Sequence, residues 1–297
     1  MTRSDQAPPS TDDRTFAGQR ARLLGLAYRL TGSRATAEDL VQEAWLRWDR
    51  ADRTTIERPP AWLTTVVSRL ALDHLASARH QRESYVGPWL PEAVPTDDDP
   101  AASAELAESV TIGFLTVLER LGPVERVVFL LADVFGVPFD EIAAVVGRSP
   151  EACRQVASRA RRRVRDGRPR FAPTDAAAWD VTVAFLGAAQ GGDLGGLLSL
   201  LADDAVLLSD GGADHRAARR PVLAARIPRF FANLTRRMPP DATARLLTVN
   251  GQPGVVLDVD GAPFAAVGFS VVDGRIDRIW VHRNPAKLAT VGADPIT

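Results

Sequence analysis

The chain of 297 residues is 45% hydrophobic and 25% charged, with a formal net charge of −1. Those are the proportions of a soluble globular protein with room for two or three cores, and no apolar run is long enough to span a bilayer. Cys153 is the only cysteine, which excludes an intrachain disulfide and a cysteine-based metal site. The polar N-terminus lacks the order of a signal peptide, and a cytoplasmic protein without metal or cofactor is expected.

In chain order, residues 1–15 read as a disordered tail. Phe16, Leu23, Leu24, Ala27 and Leu30 recur at helical spacing, and Thr31-Gly32-Ser33 breaks that helix. A second helix is expected to start at Thr36, capped by its own hydroxyl with Asp39 three residues on. It buries Leu40, Val41, Ala44, Trp45 and Trp48, and turns Asp39, Gln42, Glu43 and Leu46 onto another face. After a loop ending in Pro59-Pro60, a long helix runs from Ala61 to about Arg82. Leu63, Val66, Val67 and Leu70 form its core side, and Trp62, Thr65, Arg69, Arg79 and Arg82 lie elsewhere on it. Residues 85–109 hold four prolines and the acidic run Asp97–Asp99, which is the composition of a linker. Trp89 reads as a tryptophan that could pin this linker to a neighbouring domain.

Val137 to Arg163 carries the clearest motif. A short helix, Phe139–Val146, ends at Gly147, and Ser149-Pro150 opens a second helix as N-cap and first helical residue. Helix, tight turn and capped helix make a helix-turn-helix. Cys153, Val156 and Ala160 face inward. Arg148, Ser149, Arg154, Gln155, Ser158, Arg159 and Arg162 face out, with the side chains that reach phosphates and base edges in a major groove. An Arg-rich surface helix in an ordinary helical hairpin is the plainer alternative.

The runs AYRLTGSRATAEDLVQEAWLRWDR and PPAWLTTVVSRLALDHLASARHQRE resemble region 2 of the extracytoplasmic-function sigma factors of bacterial RNA polymerase, and the helix-turn-helix resembles region 4. The resemblance implies two all-α domains, region 2 over 16–84 and region 4 over 110–167. Asp39, Gln42, Glu43 and Leu46 would then dock on the β′ clamp helices of core polymerase, with the β subunit as a further partner. Trp62, Thr65, Arg69, Arg79 and Arg82 would open the −10 element of promoter DNA. The second helix of the helix-turn-helix would read the −35 element, with Arg161 to Arg163 setting its position on phosphates. The segment Trp89 to Glu92 is similar to a linker signature of one subgroup of these factors.

A linker at 168–175 leads to an extra domain, 176–283, followed by a tail, 284–297. Two amphipathic helices, a short strand at Ala205–Ser209 and a helix from Pro221 to about Arg237, bent at Pro228, precede strands separated by Asn250-Gly251, Asp260-Gly261 and Asp273-Gly274. Helices followed by an antiparallel meander imply an α+β cone. The order resembles the SnoaL-like members of the NTF2-like superfamily, and the whole chain resembles the sigma-factor subgroup that carries such a domain as a regulator in cis. The family's Asp-Gly-Gly-Gly-Lys motif stands here as Asp210-Gly211-Gly212-Ala213-Asp214, without its lysine. Its Asn-Pro-Asp-Lys-Leu motif stands as Asn284-Pro285-Ala286-Lys287-Leu288, without its acid.

Trp89, Glu92, Asp210, Gly211, Gly212, His215, His282, Asn284, Pro285 and Lys287 are the candidate regulatory or pocket residues. A small-molecule ligand of unknown identity is a possible partner of this domain. Two alternatives stand beside this reading. One is a ligand-responsive one-component repressor. The other is isomerase or cyclase chemistry in the cone, for which Asp210, His215, Asp277 and His282 would be the acids and bases.

Overall fold

The computed structural model describes residues 11–83, 85, 87–96, 110–167, 176–212, 215 and 217–292. Region 2 is a bundle of α1 (Thr11–Thr31), α2 (Arg34–Arg50) and α3 (Pro59–Glu83). α1 begins before the expected boundary at Phe16, through polar residues that an apolar period does not register. The cap of α2 is also corrected. Ser33, not Thr36, is the N-cap, with extended backbone and an Oγ that accepts from the Thr36 N–H at 3.2 Å.

Region 4 comprises α4 (Ile112–Leu118), α5 (Pro123–Phe129) with a π-helical turn at Leu130–Val134, α6 (Phe139–Val146) and α7 (Pro150–Gly167). Gly147 ends α6 at φ 66°, the left-handed conformation that favours glycine. Ser149 Oγ accepts from the Ala152 N–H at 3.2 Å, so the helix-turn-helix forms as read. Regions 2 and 4 share one continuous core, which runs from Leu23, Trp48 and Leu63 to Val127, Ile142 and Val156.

The C-terminal α+β domain begins with α8 (Ala176–Gly191) and α9 (Leu194–Ser199), followed by β1 (Leu201–Asp210) and β2 (Val222–Leu223). Next come α10 (Ile227–Arg236), β3 (Thr243–Val249), β4 (Gln252–Val259), β5 (Ala262–Val272), β6 (Arg275–His282) and α11 (Pro285–Leu288). The sheet order is β2-β1-β6-β5-β4-β3. The three hairpins between β3 and β6 turn on Asn250, Asp260 and Asp273, each at φ 52° and each followed by a left-handed glycine. That is the type I′ geometry their dipeptides demand.

Several expectations need correction here. β1 pairs parallel with β6, so the sheet is mixed and not a pure antiparallel meander. β1 is also longer than Ala205–Ser209. No helix spans Pro221 to Arg237: β2 and a 3-10 turn come first, and Pro228 sits in the first turn of α10, where a missing N–H bends nothing. The segment after His282, which the sequence leaves open, packs on the sheet as far as Val291. α11 lies against the sheet, and Leu288 and Val291 are buried with Val249, Val256 and Ala266.

The two faces of this sheet carry different partners. α8 and α10 cover one face around Phe185, Phe231 and Phe269. On the other face Trp280 meets Leu90 and Ile112, and Ala93 joins the cluster of α11.

Candidate functional site

Asp39, Gln42 and Leu46 are exposed and Glu43 is half-buried, so the expected docking face of α2 is open. Glu43 pairs locally with Arg47, Nε to Oε1 at 2.9 Å. On α3, Trp62 is half-buried and packs on Trp48 with ring centroids 5.7 Å apart, and Thr65 Oγ1 donates to the Ala61 carbonyl. Arg69 is exposed but committed: its Nη2 donates to the Ala144 carbonyl of α6 at 2.7 Å. Arg79 and Arg82 lie in α3, and their side chains fall outside the described residues. On region 4, Arg148, Ser149, Arg154, Gln155, Ser158, Arg159 and Arg162 all face solvent. Arg154 bonds Glu151 and stacks over Phe139. Arg161 and Arg163, expected on phosphates, instead pair with Asp133 and Glu125 inside region 4.

The described part of the linker, Tyr85 and Gly87–Thr96, is held on both sides. Toward region 2, the Glu92 carboxylate accepts from Ser33 Oγ at 2.7 Å and from the Arg34 N–H at 2.6 Å. It therefore sits at the N-terminus of α2, where the helix leaves N–H groups unpaired and its dipole favours an anion. The Glu92 N–H donates to the Gly32 carbonyl, and Tyr28 Oη donates to the Glu92 carbonyl. Gly32 is left-handed at φ 68°, and a Cβ there would stand 2.8 Å from the Trp89 ring.

Toward the C-terminal domain, the Asp210 carboxylate accepts from Tyr85 Oη at 2.6 Å, the Leu90 N–H at 2.9 Å, the Gly212 N–H at 3.0 Å and Lys287 Nζ at 2.7 Å. Lys287 Nζ also donates to the Leu90 carbonyl and lies 4.1 Å from the Trp89 ring centroid. Asn284 caps α11 through the Ala286 N–H, donates to Tyr85 Oη, and has Pro285 as its first helical residue. Gly211 and Gly212 are needed for space. A Cβ on Gly211 would meet the His215 carbonyl oxygen, and one on Gly212 would press Asn284. His282 Nε2 lies 2.9 Å from the Pro91 carbonyl. Both family motifs therefore close on one short piece of chain. Ala213, Asp214 and the acidic run Asp97–Asp99 lie outside the described residues.

Burial alone would raise the Asp210 carboxyl, but Lys287 and the converging donors outweigh it, and the net direction is down. Burial pushes His282 down to about 4, so the ring is neutral and its Nε2–H is the donor to Pro91. His215 is exposed, and Asp277 is raised by burial. None of Asp210, His215, Asp277 and His282 lines the cavities under α10. Asp210 and His282 are linker ligands. Among the described residues no cluster of three His, Cys, Asp or Glu could hold a metal, and no helix is long and apolar enough to cross a membrane.

Sequence reasoning missed five partners. Tyr28 and Tyr85, the only two tyrosines, both put their hydroxyls into the linker network. Asn250 was read only as a turn, yet its Oδ1 accepts from the Val94 N–H and its Nδ2 donates to Tyr28 Oη and the Val110 carbonyl. Arg126 joins regions 4 and 2 through the Leu30 carbonyl, and Arg58 does so through Glu141. Residue rarity was the available signal for the tyrosines; the other three give none.

Residues 17–81 match the model for sigma-70 region 2 and residues 113–164 the model for sigma-70 region 4. The chain is 43% identical to the ECF RNA polymerase sigma factor SigJ of Mycobacterium tuberculosis over 288 residues, 92% of each chain. It is 37% identical to the probable ECF RNA polymerase sigma factor SigI of the same organism, over 94% of this chain and 95% of that one. The crystal structure of M. tuberculosis SigJ superposes with a TM-score of 0.75 at 40% identity, covering 95% of this chain and 99% of that one. With both sigma regions matched and these relatives covering more than nine-tenths of the chain, this chain belongs to the extracytoplasmic-function family of RNA polymerase sigma factors.

Proposed function

We propose that the chain brings core RNA polymerase to promoters through three faces and that its C-terminal domain holds these faces in a closed arrangement. Asp39, Gln42, Glu43 and Leu46 dock on the β′ clamp helices, α3 engages the −10 element, and the outer side of α7 reads the −35 element. Positions −35 and −10 are separated by roughly 85 Å of B-form axis. In the free chain Arg69 of α3 bonds Ala144 of α6, so the −10 helix packs against the helix-turn-helix that carries the −35 reader. They cannot both be seated until regions 2 and 4 part.

The observation that carries this reading is the linker. Glu92 anchors it to region 2, while Asp210, Asn250, His282 and Lys287 anchor it to the C-terminal domain. Opening must pull against these bonds, so the domain is a restraint on a two-state element. No chemistry is assigned to it, because the carboxylate of Asp210 is saturated by the donors that hold the linker.

The test is transcription by core polymerase from the promoter upstream of the chain's own gene, using the full chain and an Asp210→Asn/Lys287→Met variant. Transcript from both, with more from the variant, is expected. Equal yields would remove the restraint, and no polymerase-dependent transcript from either would remove the promoter assignment.

A further inference from the structure

On its helix-covered face the C-terminal sheet keeps two neighbouring cavities that promoter recognition does not use. One, of about 450 Å³, has an apolar wall that includes Val183, Leu186, Phe231, Val255 and Val267. The other, of about 460 Å³, lies between α10 and the ends of β1 and β6. Leu234, Met238 and Leu257 line both. Each falls in the size range of small-molecule pockets.

The second cavity holds an uncompensated cation. Arg283 is half-buried, its guanidinium lies 3.6 Å from the ring centroid of Phe264, and its Nε is buried without a hydrogen-bond partner. Burial lowers its pKa, and among the described residues no carboxylate offsets the effect. Arg237 and Asn233 line the same cavity, and among the described residues neither cavity has an Asp or Glu in its wall. A partly desolvated guanidinium gains from an anion, and its planar fork matches a carboxylate.

We propose that these cavities bind an amphipathic organic anion, a carboxylate on an apolar body. The head rests on Arg283 and Arg237. The body lies along Phe230, Leu234 and Leu257 and reaches past Met238, a side chain flexible enough to move aside, into the apolar chamber.

The site backs directly onto the linker clamp. Successive residues of a strand face opposite sides of a sheet. Ser209, Val281 and Arg283 line the cavity, whereas Asp210 and His282 hold the linker. The Arg283 N–H also donates to the Asp210 carbonyl at 2.7 Å. Resting on the restraint reading above, an occupant of the cavity shifts the grip on the linker.

The experiment uses the full chain and 11-(dansylamino)undecanoic acid as fluorescent probe, competed by decanoate, decanol or decylamine below their micellar concentrations. Decanoate is expected to compete about tenfold better than decanol, the effect of one charge-assisted contact, and decylamine worse than either. Arg283→Gln should erase the advantage of the acid and leave decanol unchanged, while Arg283→Lys keeps part of it. Leu246→Trp, at a half-exposed position on the apolar wall, should weaken all three. Equal competition by acid and alcohol, or an acid preference that survives Arg283→Gln, overturns the site. Thermolysin cleavage of the linker reads the coupling separately. Probe binding with unchanged cleavage overturns the coupling alone, and absent binding leaves the restraint reading intact.

Discussion

Lys287 and Asp210 bracket the backbone of a single residue. Asp210 accepts from the Leu90 N–H, Lys287 donates to the Leu90 carbonyl, and the two side chains meet at 2.7 Å. Both are buried, and Lys287 is the only lysine in the chain. The linker thus completes the coordination of a buried ion pair, and each charge would be poorly satisfied without it.

Removing one partner of such a pair leaves an unpaired buried charge, which costs about 3–5 kcal/mol. Lys287→Met alone should destabilise the full chain by that order in urea unfolding and speed thermolysin cutting between Tyr85 and Thr96. Asp210→Asn/Lys287→Met should cost less than the sum of the two single changes, because it removes the lone charge. Additive costs in that cycle would mean that the two residues act separately.

Closed packing of regions 2 and 4 is testable by energy transfer. Cys153 is fully buried and burial raises its thiol, so it should not compete with cysteines placed at exposed Ala17 and Asp166. The labelled chain should show high transfer when free. Transfer should fall once core polymerase and promoter DNA are present, because the readers then stand roughly 85 Å apart along the duplex. Unchanged transfer would show that the contact of Arg69 with Ala144 survives promoter binding.

The pH dependence follows from His282. Its folded pKa lies at about 4, below the usual 6.5, so the folded state resists a proton that the unfolded chain accepts. The stability it contributes is complete above pH 6.5 and is lost as pH falls toward 4. Between pH 7 and 5 the loss amounts to about 2 kcal/mol. His282→Gln retains an amide donor for the Pro91 carbonyl and cannot titrate, so its stability should fall less over that interval. Parallel curves for both chains would place the acid sensitivity elsewhere.

What the sequence made legible was local. The cap and turn of the helix-turn-helix and the three hairpin dipeptides are each written in a few adjacent residues, and each forms as read. The misreadings share one cause. Ser33 rather than Thr36 caps α2, and Glu92, distant in sequence, completes that cap. Nothing in either stretch announces the other. The strand at Ala205–Ser209 was read without a partner, and it pairs parallel with β6, a contact that depends on how the intervening chain crosses. The positive face of α7 was legible, whereas the diversion of Arg161 and Arg163 to Asp133 and Glu125 was not, because those partners sit on another helix.

Asn250 separates turn chemistry from domain contact. Like Asp260 and Asp273, it holds a left-handed hairpin position at φ 52°. Unlike them, its amide bonds Val94 of the linker, Val110 at the entrance to region 4 and Tyr28 of region 2. Glycine tolerates that φ, so Asp260→Gly and Asp273→Gly should change stability by no more than about 1 kcal/mol. Asn250→Gly keeps the turn but leaves the Val94 N–H without its amide partner in a buried setting, at a cost of about 1–3 kcal/mol. It should also raise thermolysin cutting of the linker, which the two aspartate changes should not do. If all three glycines behave alike in both assays, Asn250 is a turn residue only, and the hairpin does not help to hold the two sigma regions closed.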